Sequence, residues 1–213
     1  MQLVIDSATA ACSVALIDGD ALIDERHELV GRGHAERLVP MIAELLGGRR
    51  PEAILVDCGP GSFTGVRVGL AAAHGLAIGW RVPLLGFSSL AVIAAAAQGG
   101  GNEYAVALHG GHGQLFVQTY GREPLSPRDA LRSMLPQEAA AEIRAETIYG
   151  SGAEALVSAR GHGLAIDALP RAADARLLPE ILRSLEPRPI YGRAPDAKPV
   201  LSDAAGGVEG PMP

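Results

Sequence analysis

The chain has 213 residues, 48% of them hydrophobic, and a formal net charge of −6. This length and apolar fraction predict a globular protein of one large or two small domains, and they exclude a disordered chain. The 18 basic residues include a single lysine, Lys198, and the arginines form no cluster. An acidic chain without a basic patch is a poor nucleic-acid binder by itself, so any RNA contact is expected from a partner.

The remaining bulk features predict a cytoplasmic protein that does not enter a membrane. The first four residues lack the basic region of a signal peptide, and no apolar run approaches the ~20 residues of a membrane span. Cys12 and Cys58 each lie in an apolar, strand-like run. They are expected to be small buried side chains in a reducing compartment rather than a disulfide or redox pair.

The first 50 residues predict three strands followed by a helix. The strands cover residues 3–5, 13–17 and about 21–28, with an Asp-Gly turn at residues 18–20, and Asp6 ends the first of them. A helix over about 34–46 carries Leu38, Ile42 and Leu45 on one face, and two glycines at 47 and 48 stop it.

The most informative stretch is Gly59–Gly69, which follows the buried strand predicted for residues 53–58. Its glycines permit a tight turn, and Ser62 or Thr64 can cap the helix that follows. Such a turn is either purely structural or an anion site at the helix start. Two standard motifs are absent, because Val66 stands where a P-loop needs lysine, and Ser62 is not at the centre of a Gly-x-Ser-x-Gly elbow.

The helix predicted over 64–80 has three interior glycines, Gly69, Gly75 and Gly79, among many alanines. Each glycine costs a helix about 1 kcal/mol relative to alanine. A close helix or sheet must therefore compensate, either within the chain or across a subunit interface. The residues alone leave both readings open.

The rest of the chain predicts a second, similar half. A strand over 82–87 and a helix from Ser88 or Ser89 to Ala97 are followed by a glycine-rich linker at 98–102. Strands are predicted at 104–108, 114–120 and 146–149. Helices are predicted after Pro127, over 136–143, up to Ser158, and over 172–185. Between the first two of these strands, His109 and His112 lie in a glycine-rich loop; a hairpin loop is favoured there over a metal site or an oxyanion loop.

Gly59–Gly69, with the sequence GPGSFTGVRVG, resembles the corresponding stretch of the TsaB (YeaZ) family. Residues 5–9, 34–40 and 189–193 match that family as well. The resemblance implies an α/β chain of the actin-like (ASKHA, ribonuclease H-like) fold with two duplicated halves. The expected limits are an N-terminal domain over 1–98, a smaller domain over 103–193 and a flexible tail over 194–213.

By this resemblance the chain is a non-catalytic scaffold. It binds a TsaD-like subunit and works with a TsaE-like ATPase, and the complex places a threonylcarbamoyl group on the adenosine next to the anticodon of tRNA. The tRNA is reached only through the complex, and the chain alone forms a homodimer through the same surface. The expected partner contacts lie on the two helices: Leu38, Ile42, Leu45, Val68, Ala72, Gly75 and Gly79.

The resemblance assigns the chain no catalytic residue and no metal. Leu38 stands four residues after His34, where TsaD-like relatives carry the second histidine of a metal pair. The candidate nucleotide contacts are Asp6, Gly61 and Ser62. No cofactor is expected in the isolated chain, and ATP or ADP is placed only at the partner interface. The alternatives are an ATP-binding phosphotransferase or an M22-type peptidase of the same superfamily.

Overall fold

The computed structural model describes residues 1–99 and 101–192. The tail predicted over 194–213 and the last residue of the 189–193 motif lie outside the described residues. The first half of the chain forms a five-stranded sheet in the order β3-β2-β1-β4-β5. Its elements are β1 (Gln2–Asp6), β2 (Ala11–Asp18), β3 (Ala21–Leu29), α1 (His34–Leu46), β4 (Ala53–Asp57), α2 (Phe63–Trp80), β5 (Leu84–Phe87) and α3 (Ser89–Ala96).

The apolar runs predicted at residues 3–5 and 53–58 form inner strands of this sheet, β1 and β4. β1 pairs with β2 in antiparallel orientation and with β4 in parallel orientation, and both β1 and β4 are buried along most of their length. α1 ends at Gly47, whose φ of 52° is the left-handed conformation that glycine adopts without strain. α2 starts at the predicted cap, because the Ser62 hydroxyl accepts a hydrogen bond from the Gly65 N–H at 3.2 Å.

The second half forms another sheet, in the order β11-β10-β6-β7-β8, with β9 also paired to β7. Its elements are β6 (Glu103–His109), β7 (Leu115–Gly121), β8 (Ser126–Pro127), β9 (Arg132–Met134), α4 (Pro136–Glu142), β10 (Thr147–Tyr149), α5 (Ala153–Arg160) and β11 (Leu164–Ile166). Counted from β6, this is the strand order of the first half, with β8 and β9 sharing the place of the third strand. The predicted duplicated actin-like fold is confirmed.

The helix predicted after Pro127 is wrong. Residues 126–127 and 132–134 pair with β7 instead. The Asp129 carboxylate accepts hydrogen bonds from the N–H of Thr119 at 2.8 Å and from its hydroxyl at 3.1 Å. These contacts hold the segment along the strand, so tertiary hydrogen bonding replaces the local helix.

The last predicted helix, over 172–185, is also wrong. The segment forms two 3₁₀ turns, Ala172–Leu177 and Glu180–Leu182, separated by Pro179. Leu178, which precedes the proline, is extended, as expected for that position. The segment packs on the first sheet, since the Ala172 N–H donates to the Ser13 hydroxyl at 2.9 Å and Leu185 exchanges two hydrogen bonds with Gly86.

The two halves share part of their apolar core. The residues of α3 pack together with Val4 and Leu55 of the first sheet and with Tyr104 and Tyr120 of the second. The 98–102 linker separates the strands of the two sheets, and the domain limits within the chain stay predictions. Among the described helices, none is both long enough and apolar enough to span a bilayer.

Candidate functional site

One face of α2 is exposed, and no described residue lies close to its two glycines, Gly75 and Gly79. A Cβ atom added at Gly75 or at Gly79 would meet no other atom within 4 Å. Ile78, between them on the same side, is 77% exposed, and Ala71 and His74 are exposed as well. The face is therefore narrow, apolar and free to accept another helix or strand.

The first turns of the same helix are packed closely. A Cβ on Gly65 would lie 2.1 Å from the carbonyl oxygen of Ser7, and one on Gly69 would lie 2.5 Å from the Ser7 hydroxyl oxygen. The Ser7 hydroxyl also donates to the Gly65 carbonyl at 2.9 Å. Contacts within the chain thus account for Gly65 and Gly69. At Gly75 and Gly79 the described part of the chain provides no such contact.

The three partner contacts predicted on α1 are buried in the core of the chain. Leu38 and Leu45 are fully buried and Ile42 is 3% exposed, in the core beneath α1 and α2. The apolar stripe of α1 packs on the chain's own sheet, as the stripe of an amphipathic surface helix normally does. Val39 points the other way and is 57% exposed.

Val68 and Ala72 have an intermediate position on α2. Both are half-buried and pack against the edge of the core cluster. Together with Gly75 and Gly79 they stay predicted partner contacts. The part of the predicted surface compatible with an open interface is thus the exposed side of α2.

Two carboxyl groups are buried together behind the start of α2. Asp6 and Asp57 end the adjacent parallel strands β1 and β4 and are 0% and 2% exposed. Asp6 accepts from the Ala8 N–H at 3.1 Å, and Asp57 accepts from the Gly59 N–H at 2.7 Å and the Ser89 hydroxyl at 2.6 Å. The Oδ2 atom of Asp6 has no donor in the described structure.

The burial of these two carboxyls side by side favours a proton on the pair. Burial, reinforced by the charge of Asp57, raises the pKa of Asp6 well above its ordinary value. Burial raises the pKa of Asp57 to about 6, although its hydrogen bond from Ser89 opposes the rise. Two adjacent buried carboxylates repel each other when both are ionised. A proton bound by Asp6 removes this repulsion.

Asp57 was not singled out in the sequence. The available signal was its position, because it ends a buried strand just as Asp6 does. Parallel neighbouring strands bring such ends together.

Asp6, predicted as a nucleotide contact, is fully buried and does not line the cavity between the two halves. Gly61 and Ser62 do line the cavity between the two halves. The turn is closed on the first loop, however: a Cβ on Gly61 would lie 2.0 Å from the Ala8 carbonyl oxygen, which also accepts the Ser62 N–H at 2.7 Å. The described residues contain no cluster of three or more histidine, cysteine or acidic side chains suited to a metal.

His34 and the His109–Gly113 loop both have structural roles. His34 is buried, with its Nε2 atom 3.2 Å from the Ala11 carbonyl oxygen. The His109–Gly113 loop is the predicted hairpin connection, between β6 and β7, and it forms one wall of the cavity.

The sequence of this chain is similar to a known protein family and to individual curated proteins. A family model described as "TsaD: tRNA N6-adenosine threonylcarbamoyltransferase" matches residues 27–137. The chain is 37% identical over 128 residues to the tRNA threonylcarbamoyladenosine biosynthesis protein TsaB of Escherichia coli, covering 57% of this chain and 55% of that protein. It is 43% identical over 102 residues to the Haemophilus influenzae protein of the same name, covering 45% of this chain and 42% of that protein. The chain thus aligns with about half the length of these curated relatives.

A solved structure extends the likeness to nearly the whole fold. YeaZ from Pseudomonas aeruginosa is 29% identical, with a TM-score of 0.76, and the match covers 89% of this chain and 98% of that one. The match includes both halves and therefore the duplicated architecture. The chain belongs to the TsaB (YeaZ) family.

Proposed function

We propose that this chain is a non-catalytic scaffold subunit that binds a TsaD-like protein through the exposed face of α2. With a TsaE-like ATPase, the complex forms N6-threonylcarbamoyladenosine next to the anticodon of tRNA. The curated relatives named for threonylcarbamoyladenosine biosynthesis support the pathway. The observation that carries the scaffold role is the open position of Gly75 and Gly79.

The energetic argument rests on those two glycines. Each lowers the stability of an isolated helix by about 1 kcal/mol relative to alanine. Neither recovers that cost by packing against the residues that the structure describes. A second backbone that lies against Ala71, Gly75 and Gly79 would recover it and would cover Ile78. The same narrow apolar face can pair with a copy of itself, which gives a homodimer in the absence of the partner.

The charge of the chain favours an indirect role with tRNA. The net charge is −6, and many arginines are already paired with carboxylates, for example Arg37 with Glu28 and Glu44. Phosphate contacts need unpaired basic side chains on one surface. We therefore assign the main tRNA contact to the partner. We also propose that the complex works in the cytoplasm.

The scaffold proposal is tested by substituting Gly75 with arginine. A side chain fits there without a clash, and arginine is a better helix former than glycine, so the fold should be kept. The charged side chain should block the helix face and abolish pull-down of the TsaD-like subunit. Ala159→Arg, at an exposed position of α5, is the matched control and should retain it. Normal pull-down by Gly75→Arg would remove this face from the interface.

The enzymatic alternative is an ATP-dependent phosphotransferase or a peptidase acting alone. We propose instead that the isolated chain works without a cofactor and that ATP or ADP is held only where the partner docks. Calorimetric titration of the free chain with ATP and Mg²⁺ separates the two. Micromolar binding would favour the phosphotransferase, whereas binding that appears only in the complex would support a site at the junction.

A further inference from the structure

A large cavity lies between the two halves, apart from the exposed face of α2. Its volume is about 960 Å³, near the upper end of the range of small-molecule sites. Most of its lining comes from four segments: the loop after β1, the start of α2, the loop from β6 to β7, and residues 189–192. The first and second halves both contribute, so a ligand here would contact both.

The electrostatic character of the cavity is opposite to that of the chain. The chain has 24 acidic and 18 basic residues, yet none of the described residues lining the cavity is an aspartate or a glutamate. Arg67, His109 and His112 are among the lining residues. The acidic pair of Asp6 and Asp57 lies behind the wall and does not face the interior. The lining therefore favours a negatively charged group.

Arg67 is held firmly in this wall without a carboxylate. Its guanidinium carbon lies 3.2 Å from the centre of the Phe63 ring and 5.4 Å from that of Tyr191. It donates to the Phe63 carbonyl at 2.9 Å and to the Tyr191 hydroxyl at 2.6 Å. In the described part of the chain no acidic group pairs with it, unlike Arg37 or Arg171. Its charge is thus positioned and not neutralised by the protein.

The rest of the lining is mainly apolar with a few hydroxyl groups. Leu108, Phe116 and Ile190 supply apolar surface, while Ser133 and Ser151 supply hydrogen-bonding groups. A cavity with apolar walls and a small number of placed polar groups suits a ligand that has an apolar body.

We propose that this cavity binds an organic anion with an apolar or aromatic body, without a divalent cation. Arg67 would meet the anionic group, and the apolar walls would cover the rest. Bound Mg²⁺ is normally held by one or two carboxylates together with the phosphates of its nucleotide, and none of the described lining residues carries a carboxylate. The inference does not depend on partner binding, because Gly75 lies about two turns farther along α2 than Arg67.

The test uses the fluorescent sulfonate 1-anilinonaphthalene-8-sulfonate with the full chain. Its uncharged relative, N-phenyl-1-naphthylamine, is the matched control probe. We expect saturable binding of one sulfonate per chain, and displacement by 1-naphthalenesulfonate but not by 1-naphthol. Equal displacement by the charged and uncharged compounds would overturn the proposal, and this comparison needs no variant.

Two substitutions locate the site. Arg67→Met keeps an apolar stem but removes the charge, so it should weaken the sulfonate about tenfold and leave the amine unchanged; Arg67→Lys should retain most of the affinity. Gly111→Trp points a large ring from an open position of the lining and should abolish binding of both probes. Sulfonate binding that survives Gly111→Trp would place the probe elsewhere. Displacement by ATP that requires Mg²⁺ would show a nucleotide site instead.

Discussion

The buried Asp6–Asp57 pair makes a specific prediction: Asp6→Asn should stabilise the folded chain at neutral and alkaline pH. Asparagine has the same shape as a protonated aspartic acid. Its Oδ1 atom can accept from the Ala8 N–H as Asp6 does, and its Nδ2 can donate permanently to Asp57. The variant therefore supplies the hydrogen that Asp6 must otherwise hold as a bound proton.

The sign and size follow from the raised pKa values. A carboxyl whose folded pKa is raised contributes stability below its unfolded pKa and loses it as pH rises through the folded pKa. For Asp57 the rise from 3.8 to about 6 corresponds to about 3 kcal/mol lost across that interval. The pKa of Asp6 is raised as well, so this carboxyl also costs the folded chain stability as the pH rises.

The assay is urea unfolding of both proteins over a series of pH values. The free energy of unfolding of Asp6→Asn minus that of the unmodified chain should increase as the pH rises. Subtraction cancels the groups that both proteins share. Asp20→Asn, at an exposed position of the first hairpin turn, should leave the pH dependence unchanged. A difference that stays constant with pH would refute a proton on the pair.

Two further predictions concern glycines of α2, and a third concerns the two cysteines. Gly75→Ala should raise the free energy of unfolding of the isolated chain by about 1 kcal/mol, because the position is open and alanine favours the helix. Gly65→Ala should instead lower it, because its Cβ would lie 2.1 Å from the Ser7 carbonyl oxygen. Urea unfolding measures both, and effects of the same sign would contradict the packing described for α2. Burial raises the pKa of the Cys12 thiol to about 11 and that of Cys58 to about 12. A thiol reagent at neutral pH should therefore leave both unmodified in the folded chain and react with both in urea, and rapid reaction of the folded chain would show that they are accessible.

The parts of the fold predicted from sequence are those fixed by local chemistry. The apolar runs at β1 and β4, the Asp-Gly turn before β3 and the Ser62 cap of α2 each depend on neighbouring residues. The two wrong helices depend on distant ones. The segment containing Asp129 is held by Thr119, and the segment from Ala172 is held by Ser13, which lies 159 residues away. No local pattern contains those contacts.

The candidate site was predicted unevenly for a related reason. An apolar stripe such as Leu38, Ile42 and Leu45 is compatible with burial in a core or in an interface. In this chain the stripe is buried in the core. The Asp6–Asp57 pair needed the strand order, since the two residues meet only because β1 and β4 are neighbours. Sequence reasoning found Asp6 and missed its partner.

Glycine within a helix is a more discriminating signal of an interface than an apolar side chain. An apolar residue gains free energy by burial anywhere, so its presence does not say where the burying surface belongs. A helical glycine loses free energy unless something approaches its backbone closely. In α2 the structure separates the two cases, because Ser7 lies against Gly65 and Gly69, whereas no atom of residues 1–99 and 101–192 would lie within 4 Å of a Cβ at Gly75 or Gly79. The unrecovered cost at the second pair is what points to a surface outside the protomer.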